Sequence, residues 1–243
     1  MYFLKPDYLT KMKTMKKLVL GLILTTTIAF CSKAQVYIQG GLNLANITKT
    51  SDGQTSDNNI LPSFNVGLLG RYGITSNFAI ESGALLTGHG SKAETYFNGG
   101  NDYVKSRFNP FYIQVPLNAV VKIPLEKQTN VFFNAGPYVA VGIGGKSKQE
   151  SKFGPLMASS TETIKFSNDD PFTSQEEDAG YDRLKRFDYG LNFGGGIEFS
   201  HVILKVNYGL GLAKINSTES NNNYNDKNKY RTLSFSVGIP LGK

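Results

Sequence analysis

An all-β, eight-stranded antiparallel up-and-down barrel that crosses a membrane, preceded by a cleaved signal peptide, is the fold class this sequence predicts. Three observations predict it. Alternation of apolar with small or polar residues recurs eight times after residue 34, and a period of two is the signature of a strand with two different faces. The connections between these segments run long, short, long, short, long, short, long. The face opposite the apolar one carries Gly, Ala, Ser, Asn and Gln, not the Lys and Glu of a sheet turned to water.

The segments follow in order. The first is VYIQGGLNL, with Val36, Ile38, Leu42 and Leu44 on one face. The second is SFNVGLLGRYGI, with Phe64, Val66, Leu68, Tyr72 and Ile74; the third is FAIESGALL, with Phe78, Ile80, Ala84 and Leu86. The fourth is PFYIQVPLNAVV, carrying Phe111, Ile113, Val115, Leu117, Ala119 and Val121; the fifth is NVFFNAGPYVAVGI, carrying Val131, Phe133, Ala135, Val139, Val141 and Ile143. The sixth and seventh lie in FDYGLNFGGGIEFSHVILKVNYGLGLAKI, residues 187–215, with almost no linker between them. The eighth is RTLSFSVGIPL, with Leu233, Phe235, Val237, Ile239 and Leu241.

Long connections fall near 46–60, 88–106, 145–184 and 215–230, and short ones near 75–77, 123–129 and 200–201. In an up-and-down sheet this alternation collects every long loop at one end and every short turn at the other. TSDGQTSDNN, FNGGND and STESNNNYNDKNK read as solvated loops. The stretch 145–184 is the longest and contains DDPFTSQEEDAG.

A bilayer offers no water to unpaired strand edges, so a spanning sheet has to close. Eight strands close around an interior that side chains just fill. Strands of ~9–11 residues suffice to cross. With the apolar face on lipid, the polar lumen includes Gln39, Asn43, Arg71, Glu81, Gln114, Asn118, Asn134, Tyr138, Asn192, Glu198, Lys205 and Asn207. A three-residue turn at Thr75–Asn77 sets Arg71 opposite Glu81 and predicts an inward ion pair. Glu198 and Lys205 flank the turn at Ser200-His201 and are placed for a diagonal pair. Tyr72, Phe78, Phe108, Phe111, Phe132, Phe199 and Tyr230 cluster near strand ends, as the aromatic girdles of a membrane barrel do.

The head of the chain has its own logic. From Met15 it reads MKKLVLGLILTTTIAFCSKAQ: Lys16 and Lys17, an apolar run from Leu18 to Phe30, then Ser32-Lys33-Ala34 before Gln35. Basic start, short apolar core and small-x-small site form a secretory signal peptide. Residues 1–34 are therefore read as signal peptide with an N-terminal extension, and 35–243 as the barrel domain. The formal charge of +7 belongs mostly to that leader. Without it the chain keeps 20 basic and 18 acidic residues, which removes nucleic acid as a partner. Cys31 lies within the leader and is the only cysteine, so no disulfide or thiol chemistry is expected in the barrel.

Chemistry-bearing motifs are sparse. The two histidines, His89 and His201, fall at opposite ends of this topology and share neither a metal nor a triad. His89 with Ser91, Glu94 or Asp102 is the one constellation from which a rim enzyme would be built. DDPFTSQEED lacks the order of a calcium loop, and GGGIEF and GLGLAK are strand faces without the helix a phosphate loop requires. No catalytic residue, cofactor or metal is expected.

The chain resembles the PorT-like outer-membrane β-barrel proteins of Bacteroidota. The resemblance is carried by VYIQGGLNLANI (36–47), NVGLLGRYGI (65–74), FAIESGALLTGHG (78–90), FYIQVPLNAVVKIP (111–124) and NAGPYVAVGIGGK (134–146). Its most specific parts are the element around Tyr112–Leu117 and the G-P-Y at 136–138. It implies an integral eight-stranded barrel in the outer membrane of a Gram-negative bacterium and no particular activity. One namesake belongs to a protein secretion system. The reading is a monomeric structural or interaction barrel surrounded by outer-membrane lipid, whose long loops meet envelope or secretion-system proteins. The alternatives are a part of a secretion or surface-assembly machine, an enzyme centred on His89, and a soluble barrel with its apolar faces inward around a ligand.

Overall fold

The computed structural model describes residues 34–51, 54–57, 60–125, 129–167, 183–213, 215 and 229–242. Among them the chain forms thirteen strands: β1 (Ala34–Ser51), β2 (Gln54–Asp57), β3 (Leu61–Gly73), β4 (Phe78–Gly88), β5 (Ser91–Phe97), β6 (Asp102–Pro124), β7 (Asn130–Phe153), β8 (Leu156–Thr163), β9 (Lys165–Ser167), β10 (Arg183–Lys185), β11 (Phe187–Glu198), β12 (Ile203–Gly211) and β13 (Lys229–Pro240). The leader and the DDPFTSQEED stretch lie outside the described residues.

Eight of these strands close a ring. Neighbours run β1–β3–β4–β6–β7–β11–β12–β13, and β13 pairs back onto β1. Every pairing in the ring is antiparallel. The predicted register of the second and third segments holds residue for residue, with Arg71 opposite Glu81. The turn between them is closed by the Ile74 and Thr75 N–H groups donating to the Phe78 carbonyl.

The apolar face points outward. Ile38, Leu68, Ile113, Leu117, Phe133, Val139, Val206 and Ile239 are exposed, Leu117 at 53%. The alternating neighbours Gln39, Asn43, Arg71, Glu81, Asn118 and Lys205 are buried inside. Burying polar side chains while leaving a continuous apolar band outside is stable only if lipid covers the band. The soluble, ligand-enclosing barrel with its greasy faces inward is thereby ruled out.

Three expectations need correction. Phe108, Phe132 and Tyr230 do not join a girdle: Phe132 and Tyr230 are buried, and Phe108 packs against the inward aromatic cluster. The lumen is not uniformly small and polar either, since Tyr37, Leu69, Val120, Phe132 and Ile203 pack inside the short-turn half. Finally, two long "loops" are largely strand. β6 and β7 run 23 and 24 residues, well beyond what a membrane requires, and β5 and β8 pair along their upper halves. A four-stranded sheet, β5–β6–β7–β8, thus stands on the long-loop rim. A bulge separates it from the barrel: Phe111 faces Gly144 while Tyr112 faces Gly142, leaving Ile143 as the extra residue.

Candidate functional site: a filled lumen

The lumen is built in three tiers. The tier nearest the short turns is ionic. Glu81, fully buried, accepts from Arg71 Nε at 2.8 Å, Tyr37 OH at 2.7 Å, Asn118 Nδ2 at 3.2 Å and Lys205 Nζ. Arg71 Nη1 continues to Glu198 at 2.7 Å, and Glu198 also takes Lys122 Nζ at 2.9 Å. Three cations and two carboxylates thus form one chain of contacts that joins five strands of the wall, β3, β4, β6, β11 and β12. Such groups stay buried because each finds an opposite charge and hydrogen bonds. The Arg71 guanidinium also lies over the Phe132 ring at 4.1 Å, a cation–π contact that holds the plane in place.

The glycines of the FGGGIEF stretch explain how an aromatic fits here. Gly196 sits under Phe132, and a Cβ at that position would come within 2.8 Å of the ring's Cζ. Gly238 does the same under Tyr37, with Cδ2 at 2.8 Å. Absent side chains on β11 and β13 are what admit large rings pointing in from their neighbours.

The middle tier is amide and hydroxyl. Asn65 Nδ2 donates to Asn43 Oδ1 at 2.7 Å, Asn43 Nδ2 donates to Thr87 Oγ1 at 2.8 Å, and Gln39 Nε2 donates to Asn65 Oδ1 at 3.0 Å. Ser234 and Ser236 donate into the same cluster. Above it lies a cavity of about 40 Å³ bordered by Gln39, Thr87, His89, Gln114 and Asn192.

The third tier closes the long-loop mouth with aromatic rings. Tyr112, Tyr138 and Tyr230 are buried there with Ile47, Ile164, Leu184 and Ile215. Tyr138 OH donates to Asp188 Oδ2 at 3.0 Å. Ile164 directly precedes β9 and Leu184 lies in β10, which pairs with β9, so the described ends of the long connection pack into the mouth. Phe166 adds an edge-on ring contact to Tyr112, 5.7 Å between centroids.

Of the sequence-predicted residues, Arg71, Glu81, Asn118, Glu198 and Lys205 come together in the ionic tier. Gln114 and Asn192 border the upper cavity, and Asn134 is buried on the inner face. Glu198 and Lys205 do not pair with each other. Lys205 faces Gly196 and Glu198 faces Ile203, so Lys205 reaches Glu81 while Glu198 turns to Arg71 and Lys122. Sequence reading missed Lys122 and Tyr37. Both carry the inward parity of their segments: Lys122 continues the Gln114–Asn118 series one step past where the fourth segment was ended, and Tyr37 sits between Val36 and Ile38.

His89 is inside the wall and not on an open rim. It is 4% exposed, with Tyr112 at 5.4 Å and Tyr230 at 5.2 Å between ring centroids and Thr232 Oγ1 at 3.4 Å from Nδ1. Glu94 stands on the opposite face of the outer sheet, and Asp102 accepts from the Gly154 N–H at the sheet's far end. Of the partners expected for His89, neither Glu94 nor Asp102 is brought to it, while Ser91 is buried on the same inward side of the wall. Among the described residues no group of three or more His, Cys, Asp or Glu is placed to hold a metal.

A closed ring with an apolar exterior and a packed polar lumen agrees with the family comparison, in which the outer membrane protein beta-barrel domain matches residues 26–217. The chain belongs to that family. Solved barrels similar to it include OprG from Pseudomonas aeruginosa (13% identity, 87% of this chain and 98% of that chain, TM-score 0.40). Neisserial surface protein A is similar at 11% identity (86% and 99%, TM-score 0.39), and Ail of Yersinia pestis at 17% (85% and 98%, TM-score 0.38). Likeness at these scores carries no weight here; fold and location rest on the strand pairing and the family. No curated protein matches the chain.

Proposed function

We propose that this outer-membrane barrel is a non-catalytic interaction protein that acts through its outer surface and not through its lumen. The observation that carries this is the obstruction of the lumen by an ionic, an amide and an aromatic tier, with a cavity of about 140 Å³ beside Arg71 and Lys122 confined to the short-turn mouth. The upper cavity of about 40 Å³ has room for only a few water molecules. What remains for contact is the outer sheet and the long connections, which extend beyond the length a bilayer requires. In this reading the signal peptide is removed after Ala34 and the barrel works as a monomer in lipid.

Within the family, a PorT-like affiliation is proposed from the elements at Tyr112–Leu117 and 136–138. It makes a secretion or surface-assembly machine the partner to test first, and a deletion strain that secretes its surface proteins normally would overturn that part. The central reading is tested by reconstitution in planar bilayers. Conductance near zero is expected; a large, steady conductance would refute a filled lumen.

A further inference from the structure

The outer sheet has two unlike faces, and strand parity says where each comes from. On β6, odd-numbered residues face lipid: Ile113, Val115 and Leu117 are exposed. The same parity runs on through Arg107, Lys105 and Tyr103. β5 keeps the register of β4, since Gly88 faces Phe111 and Lys92 faces Arg107. On β7 the extra residue at the bulge inverts the parity, so Lys146, Lys148, Glu150 and Lys152 turn to the same outer side. The surface that lipid wraps therefore continues upward as a basic face. The other face continues the lumen side and carries Val104, Ser106, Ser151 and the stacked pair Phe97 and Phe153.

On the basic face Lys92, Arg107 and Lys148 stand directly opposite one another on three adjacent strands. Like charges at directly opposed positions destabilise a sheet. Lys92 and Lys148 have carboxylates on their own strands, Glu94 at 3.5 Å and Glu150 respectively. Arg107, between them, has no carboxylate within 4 Å among the described residues. Lys105, in the next row, lies over the Tyr103 ring at 4.4 Å. Among the described residues the face holds six cations against two carboxylates, Glu94 and Glu150. Its level matters as much as its charge. The aromatic pair Phe64 and Phe111, 5.5 Å apart, marks the top of the apolar band. The cationic row lies four residues higher on β6, roughly 13 Å along the strand and about 10 Å in height at the usual strand tilt. The polar headgroup layer is about 5–8 Å deep on each side, so the row stands at its outer edge, from which long Lys and Arg side chains can reach down to it.

We propose that Lys92, Arg107 and Lys148 form a binding site for the phosphate groups of anionic lipids in the outer leaflet. An arginine presents a planar fork to a phosphate and flanking lysines add point charges. A phosphate at that level would offset the repulsion that the three cations impose on one another. The site rests on the reading that the long-connection end faces outward from the cell.

The test uses the full-length protein extracted from outer membranes in a mild nonionic detergent. Bound phosphorylated lipid is measured per barrel, and binding is then titrated in mixed micelles with a phosphate-bearing glycolipid and the same glycolipid without phosphate. Wild type is expected to retain and prefer the phosphorylated form. The triple variant K92Q/R107Q/K148Q should bind it about 100-fold more weakly, at roughly fivefold per cation, while E94Q/E150Q binds no more weakly than wild type. In phosphate-free micelles the triple variant should be as stable as wild type or more so, which a purely structural role would not allow. Equal retention by wild type and triple variant, or no preference for phosphate, overturns the site. If a soluble polyanionic glycan binds as tightly through the same three residues, the occupant is a glycan and the lipid assignment falls. The boiling-induced gel shift and the conductance measurement report separately on the barrel, so failure of the site is distinguishable from failure of the filled-lumen reading.

Discussion

Replacing Glu81 by Gln removes the charge on which the ionic tier converges while keeping the side chain's size. Arg71 and Lys122 would then keep Glu198, and Lys205, buried inside the wall, would lose its carboxylate. Removing one partner of a buried ion pair leaves an uncompensated charge and costs about 3–5 kcal/mol. The hydrogen bonds from Tyr37 and Asn118 can be kept in part by the amide oxygen, so the expected loss is ~3 kcal/mol. Urea unfolding of the barrel in lipid vesicles measures it, with the boiling-induced gel shift confirming a folded start. The decisive comparison is the double variant Glu81→Gln/Lys205→Met, which restores the net charge of the tier. It should be clearly more stable than Glu81→Gln alone, because neutralising both partners of a buried pair is often close to neutral. A Glu81→Gln barrel within ~0.5 kcal/mol of wild type, below the usual cost of a lost hydrogen bond, would refute an ionic tier held together through Glu81. So would a double variant whose cost is the sum of the two single ones.

Other outcomes follow from the same structure. Gly196→Val should lower stability by about 1–3 kcal/mol or more by overpacking, because a Cβ there would run into the Leu204 carbonyl oxygen and meet the Phe132 ring at 2.8 Å; vesicle unfolding reads this directly. Phe166→Ala with Leu184→Ala should loosen the mouth. A cysteine placed at Asn192 should then react faster with a membrane-impermeant thiol reagent than it does beneath the intact plug. On the outer sheet, the Tyr96 hydroxyl at 3.1 Å holds the Glu94 carboxyl below the usual range, with help from Lys92. The hydrogen bond and charge of Lys148 do the same for Glu150. Both carboxylates are therefore ionised throughout the physiological range and are neutralised only as pH falls through their lowered values. Binding of a phosphodiester lipid, whose single charge is fixed across this range, by Lys92, Arg107 and Lys148 should accordingly be flat between about pH 5 and 8; a steep change within that window in a binding titration would contradict the pairing.

The barrel was legible in the sequence because its two faces meet two different solvents. Each strand repeats the same contrast, and the three-residue turn at 75–77 was enough to place Arg71 opposite Glu81. Reach was less legible than register. Lys205 and Glu198 flank one turn, yet long side chains cross a narrow lumen, and the nearest opposite charge in space was on another strand. Rings at strand ends gave no sign of their direction: Phe132 and Tyr230 obey inward parity, but a girdle and a lumen plug draw on the same residue types. The upper halves of β6 and β7 were read as loop because Ser, Lys, Arg and Gln dominate them. Above the hydrocarbon both faces of a sheet meet polar surroundings, so the apolar alternation that marks a strand is lost, while backbone pairing with β5 and β8 persists.

The pairing of β1 with β13, Tyr37 against Pro240 at one end and Thr48 against Lys229 at the other, fixes the timetable of biogenesis. The first strand to leave the ribosome waits for the last. Until β13 has been made and exported, β1 keeps a row of unpaired N–H and C=O groups along one edge, and such an edge invites pairing with another chain. The exposed side chains that later meet lipid are meanwhile in water. Membrane entry and wall closure are therefore coupled late events.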